Sequence, residues 1–285
     1  MKSNLKIVYM GTPAFAVAPL QKLIETGHNV VCVITSPDKP AGRGQKMSFS
    51  AVKEYALEKN LPLLQPEKLK DETFVEALKS YNADIFVVVA FRMLPKVVWS
   101  MPPKGTLNLH ASLLPQYRGA APINWAIVNG EKKTGLTTFF IEEEIDTGKI
   151  ILQEELEILE RDTVGILHDR MMEIGSELIV KTIGLISTDS IEIIPQSERI
   201  NNGTTLLPAP KITKESCKID WNKSTEQINN LIRGFSPYPG AWTTLIENNG
   251  TEQIVKIFST RKEVVKHEKT DRKSTRLNSS HATLS

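Results

Sequence analysis

The chain has 285 residues, of which 40% are hydrophobic and 24% are charged, a composition typical of globular proteins. Its formal net charge is +2, and no apolar run approaches the roughly 20 residues that a membrane-spanning helix needs. The two cysteines, Cys32 and Cys217, stand far apart and form no CxxC pair. This spacing argues against a disulfide framework and a zinc site, and it favours a reducing, cytoplasmic location.

The first part of the chain alternates apolar strands with helices. The run LKIVYM at 5–10 is closed by Gly11, which is typical of a buried strand in a parallel sheet. A helix is expected from near Ala16 to Gly27. This alternation predicts an α/β fold with a Rossmann-like, doubly wound parallel sheet. The further predicted strands are 29–35, 83–91 and 106–109, and the further predicted helices are 51–59, 72–81 and a stretch that opens at 124–129.

A long polar loop separates the second strand from the next helix. Its sequence, SPDKPAGRGQKMS at 36–48, is longer than an ordinary strand-to-helix connection. Gly42 and Gly44 permit a close approach of the backbone to a partner, while Arg43 and Lys46 can reach phosphates or base edges of a nucleic acid. Taken alone, a solvated surface loop explains this segment better.

The pattern changes near residue 190. Residues 191–209 have the composition of a linker, with paired Asn, a Gly and two Pro. Beyond them CKIDW, AWTTLIE and QIVKIFS are short strand-like segments around one helix at 225–233, which predicts a small OB-like β-barrel. Such barrels commonly bind nucleic acid through basic and aromatic residues. The candidates are Lys211, Lys214, Lys218, Lys223 and Arg233, with Trp221 and Tyr238 among them.

The last segment, DRKSTRLNSSHATLS at 271–285, is polar, aperiodic and unlike what precedes it. It resembles the translation of a sequencing adapter, so we expect a non-native tail and a truncated second domain; a disordered native tail is the alternative. Without its three basic residues and one acidic residue, the chain keeps 32 charges of each sign. We therefore expect a first domain at 1–190, a linker at 191–209, a second domain at 210–270 and a tail at 271–285.

Two polar residues interrupt the apolar strand near 106–109. Side chains alternate along a strand, so Asn108 and His110 share one face while Leu107 and Leu109 share the other. Pro115 ends regular structure shortly afterwards, at the edge of the sheet where α/β proteins bind ligands. An Asn amide and a His imidazole together suit an oxyanion that develops on a carbonyl under attack. A structural Asn and a core His are the alternative.

An acidic residue, Asp146, follows in IDTG at 145–148, between strand-like segments at 137–141 and 149–152. It could cap the turn, or it could orient His110 for proton transfer. Spacing alone leaves both readings open. The segment MGTPAF at 10–15 lacks the GxGxxG pattern, so no nicotinamide cofactor is expected, and no cluster of ligand-type residues predicts a metal.

A series of motifs runs in order through the chain. They are MGTPAFAV at 10–17, PDKPAGRG at 37–44, NLHASLLPQYRGAAPINWAI at 108–127, TG at 134–135, IDTG at 145–148 and IRGFSPYPGAW at 232–242. Together they resemble the methionyl-tRNA formyltransferases, a family of the folate-dependent formyltransferase superfamily, over essentially residues 5–262. The resemblance implies transfer of a formyl group from 10-formyltetrahydrofolate to the α-amine of methionine on initiator tRNA. It further implies the formyltransferase fold and a tRNA-binding second domain, in a cytoplasmic enzyme expected to be a monomer.

The resemblance also implies roles for single residues. Asn108 and His110 match the family's oxyanion-stabilising pair, and Asp146 matches the acid that orients His110 and relays protons. The implied folate-binding residues are Ser112, Leu113, Leu114 and Pro115, together with Arg92 and Leu94 of FRMLP at 91–95. Many members of the family have Tyr-Gly where Arg92 stands. An exposed charge at the rim of the pocket is the alternative for this residue.

The implied acceptor contacts lie elsewhere in the first domain. Arg43 and Lys46 belong to the loop that matches the family's insertion into the acceptor stem of the tRNA. Thr12 and Phe15 are candidates for a methionine pocket, although core packing explains Phe15 nearly as well.

Three other functions remain compatible with the motifs. The first is formyl transfer to a small amine, and the second is hydrolysis of 10-formyltetrahydrofolate with water as acceptor. The PAGRG loop and the basic second domain argue against the first, and the second would not need a loop that contacts tRNA. The third is a non-catalytic tRNA-binding protein, against which the intact set of Asn108, His110 and Asp146 argues.

Overall fold

The computed structural model describes residues 4–41, 46–200, 203, 205–247 and 250–262. The chain divides into two compact units. The first comprises Met1–Gln116, Gly135–Glu155 and Asp169–Leu206, and the second comprises Tyr117–Thr134, Leu156–His168 and Leu207–Ser285. The second unit thus includes two stretches that precede residue 190. The domain limits drawn from the sequence stay a prediction.

Strands and helices alternate through the first 130 residues. In the described ranges the strands are β1 (Lys6–Gly11), β2 (Asn29–Ile34), β3 (Lys39–Ala41), β4 (Lys46–Ser48), β5 (Leu63–Leu64), β6 (Ile85–Val89), β7 (Thr106–His110), β8 (Lys133–Phe140), β9 (Ile150–Glu157), β10 (Ala241–Ile246) and β11 (Glu252–Ile257). The helices are α1 (Val17–Glu25), α2 (Ala51–Glu58), α3 (Glu72–Ser80), α4 (Lys96–Trp99), α5 (Pro122–Val128), α6 (Val164–Ser187) and α7 (Thr225–Gly234). No described helix combines the length and apolar character needed to cross a bilayer.

A mixed sheet in the order β5-β2-β1-β6-β7-β8-β9 forms the centre of the first unit. β1 is parallel to β2 and β6, β2 is parallel to β5, and β6 is parallel to β7. The predicted α/β class and its mainly parallel sheet are confirmed. A wholly parallel sheet is wrong, because β8 runs antiparallel to β7. The connection between these two strands contains α5, which belongs to the second unit and is not the crossover that a parallel pair requires.

The middle of this sheet is the most apolar part of the chain. All five residues of β6 are buried, as the unbroken run IFVVV predicts for a strand covered on both faces. Val8 and Met10 of β1 join Phe86 and Val88 of β6 in one buried cluster, against which α3 places Phe74 and Leu78. Helices α2 and α3 begin after polar capping residues, since Ser50 and Asp71 accept hydrogen bonds from the backbone of α2 and α3.

The segment 36–48 is not a simple loop. Lys39–Ala41 and Lys46–Ser48 pair as a short antiparallel hairpin, β3–β4. Sequence patterning missed this hairpin because a run of three residues carries too little alternation to mark a strand. Arg43 and the side chain of Lys46 lie outside the described residues, so the predicted tRNA contacts stay predictions.

The second unit contains two helices in contact, α5 and α7, and a two-stranded sheet, β10–β11. The predicted strand in CKIDW is wrong. Glu215–Cys217 forms a 3-10 helix, and Lys218 makes only an isolated bridge with Trp242. A closed barrel is not present in the described part of this unit, and the OB-like fold stays a prediction.

Arg233 does not belong to a basic surface, which corrects the sequence-based expectation. It is 8% exposed. Its Nε donates to Asn230 Oδ1 at 2.9 Å, and its Nη1 donates to the carbonyl oxygens of Leu159 and Asp162 at 3.2 Å. Burial lowers the pKa of this guanidinium. Arg233 lies on the buried side of α7, three residues from Asn230. Its guanidinium therefore donates hydrogen bonds to groups inside the protein.

Candidate active site

Strand β7 carries Asn108 and His110 to the carboxyl edge of the sheet. Leu107 and Leu109 are buried on the alternate positions, His110 is 6% exposed and Asn108 is half-buried. Asn108 pairs in register with Val88 of β6. Among the described residues the Asn108 side chain makes no hydrogen bond. Its amide is therefore available to a ligand at this edge.

Asp146 approaches His110 from the loop between β8 and β9. The Asp146 Oδ2 atom lies 3.7 Å from Nδ1 of His110, and their side chains are 13% and 7% exposed. This separation allows an ion pair but exceeds the length of a hydrogen bond. The rings of His110 and Phe139 form a T-shaped pair, with ring centroids 6.5 Å apart and planes at 84°. The sequence placed this acid near the imidazole only through a family resemblance, whereas the fold brings the two together across 36 residues.

The backbone geometry of residues 146–148 explains the IDTG motif. Asp146 has a φ of 56°, a left-handed conformation that Asp tolerates better than most residues. A Cβ atom on Gly148 would lie 1.7 Å from the carbonyl oxygen of Phe140, so only glycine fits. The buried Gln196 donates from Nε2 to the carbonyl oxygens of Asp146 and Gly148, both at 2.8 Å. These three features together fix the loop that presents Asp146.

The turn after β7, residues 111–115, is held by a buried hydroxyl of β8. Thr137 Oγ1 donates to the carbonyl oxygen of Ser112 at 2.7 Å and accepts from the backbone N–H of Leu114 at 3.1 Å. Gln153 Nε2 donates to Thr137 Oγ1 at 3.0 Å and to the carbonyl oxygen of Leu114 at 2.9 Å. One threonine and one glutamine therefore satisfy the backbone of the predicted folate-binding turn.

Ser112 itself is turned inward. It is fully buried, and its Oγ donates to the carbonyl oxygen of Gln116 at 2.6 Å. Leu113 closes against β8, where a Cβ on Gly135 would lie 2.3 Å from Leu113 Cδ2 and 2.4 Å from the carbonyl oxygen of Glu154. This close approach accounts for the glycine of the TG motif.

A cleft of about 330 Å³ opens beside the turn that follows β6. Val89 at the end of β6 pairs with Leu109 of β7, so this turn and the turn after β7 leave neighbouring strands at the same edge. The cleft is lined by Leu69, Lys70, Arg92, Met93, Leu94 and Pro95. Four apolar side chains and two cations suit a flat, partly apolar ligand that carries negative charge.

Arg92 points its guanidinium at neighbouring backbone. Its Nη1 donates to the carbonyl oxygen of Glu67 at 2.8 Å, and its Nη2 donates to that of Pro66. Its Nε is buried without an acceptor among the described residues. Burial lowers the pKa of this guanidinium from its ordinary value. The alternative of a freely exposed charge at the rim does not describe this residue.

The predicted methionine-pocket residues lie after β1. Thr12 Oγ1 is 2.9 Å from Ser36 Oγ in the turn after β2. Phe15 is 7% exposed and lies in the 3-10 turn that precedes α1. Phe15 therefore has the burial expected of a packed core residue. The contact with Ser36 places Thr12 near the base of the β3–β4 hairpin.

Sequence reasoning missed three residues that position the site, namely Thr137, Gln153 and Gln196. Thr137 stands within the buried strand LTTFF much as Asn108 stands in its strand, and this pattern could have marked it, whereas Gln153 precedes two Glu residues and carries no such signal. Gln196 lies in a polar 3-10 turn, Gln196–Arg199, where nothing in the local sequence distinguishes it. Over the same described ranges, no group of three or more His, Cys, Asp or Glu residues could hold a metal ion.

Exposed lysines surround one tryptophan of the second unit. Lys214 and Lys218 each place Nζ 5.4 Å from the centroid of the Trp242 ring, which favours a cation–π contact. The Trp242 indole N–H donates to the carbonyl oxygen of Lys214 at 2.7 Å. Lys211 and Lys223 are exposed as predicted, Trp221 is 38% exposed and Tyr238 is 80% exposed.

Comparisons with sequence families give two matches. Residues 5–183 match the formyl transferase family, and residues 211–284 match the formyl transferase C-terminal domain. The second match extends into 271–285, which lies outside the described residues. The assignment of that segment as a non-native tail stays a prediction.

Comparisons with individual proteins agree. The chain is 57% identical over 261 residues to methionyl-tRNA formyltransferase of Bacteroides thetaiotaomicron, covering 92% of this chain and 81% of the relative. It is 56% identical over 255 residues to the protein of the same name from Flavobacterium johnsoniae, covering 90% and 79%. Among solved structures it is similar in fold to WlaRD, a sugar 3N-formyl transferase crystallised in the presence of dTDP and 5-N-formyl-THF. That similarity has a TM-score of 0.65 at 24% identity, over 90% of this chain and 86% of the other.

Proposed function

This chain belongs to the formyl transferase family, and from that premise we infer that it transfers a formyl group from 10-formyltetrahydrofolate to the α-amine of methionyl initiator tRNA. The observation that carries this function is the 57% identity to a methionyl-tRNA formyltransferase over 92% of the chain and 81% of the relative. The product initiates translation. The reaction forms a bond between the amine nitrogen and the formyl carbon, and it breaks the bond between that carbon and N10 of the folate.

Asn108 and His110 stabilise the oxyanion that forms on the formyl oxygen when the neutral amine attacks. The side-chain amide of Asn108 is half-buried, and its N–H groups are available to donate to the oxyanion. The imidazole of His110 lies two residues further along β7 on the same face. Donors held in a water-poor site stabilise a developing negative charge more strongly than water does.

Asp146 orients His110 and passes protons. One proton leaves the attacking amine, and one proton must reach N10 of the departing folate. The reaction therefore neither releases nor consumes a proton overall. The separation of 3.7 Å between Asp146 Oδ2 and His110 Nδ1 supports this role, because such pairs often tighten when substrate excludes water.

The donor lies at the edge where β6 and β7 end. Bound there, 10-formyltetrahydrofolate supplies an activated formyl group. The residues fit such a molecule, since the cleft of about 330 Å³ combines apolar side chains with the cation of Lys70, and Arg92 lies in its wall. Leu94 contributes to the cleft wall. Ser112, Leu113, Leu114 and Pro115 contribute their backbone turn, because Ser112 has its hydroxyl engaged internally.

The acceptor is recognised through the tRNA and through its methionine. We assign the acceptor-stem contact to Arg43 and Lys46, and the methionine side chain to Thr12 and Phe15. The resemblance of PAGRG to the family's insertion supports the first assignment, and the proximity of Thr12 to Ser36 at the base of the hairpin supports the second.

The second domain adds a local basic surface for the tRNA. Lys214, Lys218 and Trp242 present two cations beside one aromatic ring, a combination suited to a phosphate backbone with neighbouring bases. We propose that the complete domain is an OB-like barrel and that the enzyme works in the cytoplasm as a monomer. Binding of tRNA is then expected to weaken as salt rises, because cations on the phosphates are released.

Formyl transfer from 10-formyltetrahydrofolate is the direct test. Methionyl initiator tRNA is compared with free methionine and with uncharged initiator tRNA, and the formylated product is measured together with free formate. We expect transfer to the charged tRNA only. Formate released equally without tRNA would point to the hydrolase, and transfer to free methionine at the same rate would point to a small-amine enzyme.

A further inference from the structure

One side of the folate cleft is a segment with little regular structure. Residues 65–70, here called the wall segment, follow β5 and contribute Leu69 and Lys70 to the cleft lining. Leu69 is 8% exposed and belongs to the buried cluster under the sheet, which also contains Leu94. The position of the wall segment therefore sets the space available between residues 69–70 and the turn at 92–95.

Arg92 holds residues 66 and 67 of this segment, directly after Gln65. Both of its Nη groups donate to wall-segment carbonyls, those of Pro66 and Glu67. No acceptor for its buried Nε lies among the described residues. All of the hydrogen bonding of Arg92 in the structure is therefore directed at the wall segment rather than at the interior of the cleft.

Gln65 holds the N-terminal end. Its Nε2 donates to the carbonyl oxygen of Ser36 at 2.9 Å and to Asp38 Oδ1 at 2.8 Å. The other carboxylate oxygen of Asp38 accepts from Lys53 Nζ at 2.5 Å. Hydrogen bonds from Lys53 and then from Gln65 hold the pKa of Asp38 below its ordinary value. The wall segment is thus fixed at the base of the β3–β4 hairpin and again at the end of β6.

We propose that Arg92 is a positioning residue for the folate donor: its fork of two hydrogen bonds holds the wall segment at the spacing that the donor requires. This inference rests on the proposed function. It replaces a direct charge contact with folate, for which Arg92 would need donors directed at the ligand. A planar guanidinium can bridge two adjacent carbonyls, whereas a lysine ammonium cannot reproduce that fork.

The first test is Arg92→Lys, which keeps the charge and removes the fork. Arg199→Lys, at an exposed position, is the matched control. We expect KM for 10-formyltetrahydrofolate to rise about tenfold in Arg92→Lys, as for the loss of one charge-assisted hydrogen bond, with kcat and KM for the charged tRNA within about twofold. Melting temperatures of both variants establish that they are folded.

A binding measurement separates positioning from charge. Equilibrium binding of 5-formyltetrahydrofolate, which does not react, is compared with that of the formylated pteroate that lacks the glutamate. If Arg92 acts through the wall segment, Arg92→Lys weakens both ligands by the same factor. A factor that depends on the carboxylates of the ligand, or unchanged affinity for both, would overturn the proposal.

Gln65→Met provides an independent variant that keeps the side-chain length and removes the other donor, at the first residue of the segment. It should raise the same KM, and the double variant should lose less than the product of the two single effects, because both changes release one segment. Independent, multiplying effects would contradict a shared wall. An inactive wild-type protein would defeat the proposed function itself, whereas an active wild-type with an unaffected Arg92→Lys would defeat only this inference.

Discussion

His110 is the residue on which the proposed chemistry depends most. It is 6% exposed, at the end of β7, and it has Asp146 at 3.7 Å. We expect His110→Ala to lower kcat by about 10²–10⁴-fold, which is the range for losing one positioned acid–base group. Affinity for charged tRNA, measured by filter binding, should be almost unchanged, because the proposed role places the imidazole at the reacting atoms rather than on the nucleic acid. His168→Ala removes an unassigned imidazole as control. Near-normal turnover of His110→Ala would remove His110 from the mechanism.

Thr137 shows how a residue outside any motif can govern a site. Its hydroxyl is the acceptor for the backbone N–H of Leu114 and the donor to the carbonyl oxygen of Ser112. Thr137→Val keeps the shape and leaves both buried groups without that partner, so the free energy of unfolding should fall by about 1–3 kcal/mol. Thr137→Ser keeps the hydroxyl and should lose less. Denaturant titration of the two variants measures the difference, and equal stabilities would refute the assigned role.

At the scale of elements, the loop between β8 and β9 depends on a glycine. A Cβ on Gly148 would meet the carbonyl oxygen of Phe140 at 1.7 Å, whereas a Cβ on Gly184 in α6 meets nothing within 4 Å. Gly148→Ala should therefore lower the free energy of unfolding by about 1–3 kcal/mol or more, and it should reduce kcat by displacing Asp146. Gly184→Ala should be neutral or stabilise by up to about 1 kcal/mol through helix propensity.

Thermal unfolding and transfer assays on the two glycine variants check this prediction. A Gly148→Ala protein with the stability and turnover of Gly184→Ala would show that the loop can shift without consequence. The comparison is informative because both substitutions add one methyl group to the same unit of the chain.

Elements also show where local sequence was sufficient. The apolar run of β6 and the helix at 72–81 were predicted from the sequence, because burial and helical periodicity leave their mark within a few residues. The hairpin β3–β4 and the 3-10 helix Glu215–Cys217 were missed. Each strand of the hairpin has three residues, and so does the 3-10 helix, which is too short for a periodic pattern. Both elements are stabilised by pairing or packing that the local sequence does not encode.

At the scale of the whole molecule, the two thiols report separately on the two units. Cys32 is fully buried in the first unit, and burial raises its pKa to about 11. Cys217 is 2% exposed in the second unit, and burial also raises its pKa. A raised thiol pKa lowers the thiolate fraction at a given pH, by about a hundredfold for Cys32 relative to the ordinary value of 9.0. Native protein at pH 8 should therefore react very slowly with a thiol reagent.

Denaturant should release both thiols. In Cys217→Ala, labelling of the remaining thiol, Cys32, measures the unfolding of the first unit. In Cys32→Ala, labelling of Cys217 measures the unfolding of the second unit. Different midpoints of labelling would show that the units unfold separately. Rapid labelling of native protein at either position would contradict the burial on which the prediction depends.

The sequence by itself determined the α/β class, the family and the identity of Asn108, His110 and Asp146 as candidates. These follow from short-range patterns, namely apolar runs, turn residues and contiguous motifs, which survive without knowledge of what lies opposite. Only the tertiary structure decided which polar atoms meet. Asp146 reaches His110, Gln196 holds the loop of Asp146, and Arg92 holds the wall segment, through contacts between residues 25 to 50 positions apart in the sequence. The same long-range packing buried Arg233, which its charge alone had placed at the surface. A side chain's charge sets what it can bind, but the neighbours that folding brings to it set what it does bind.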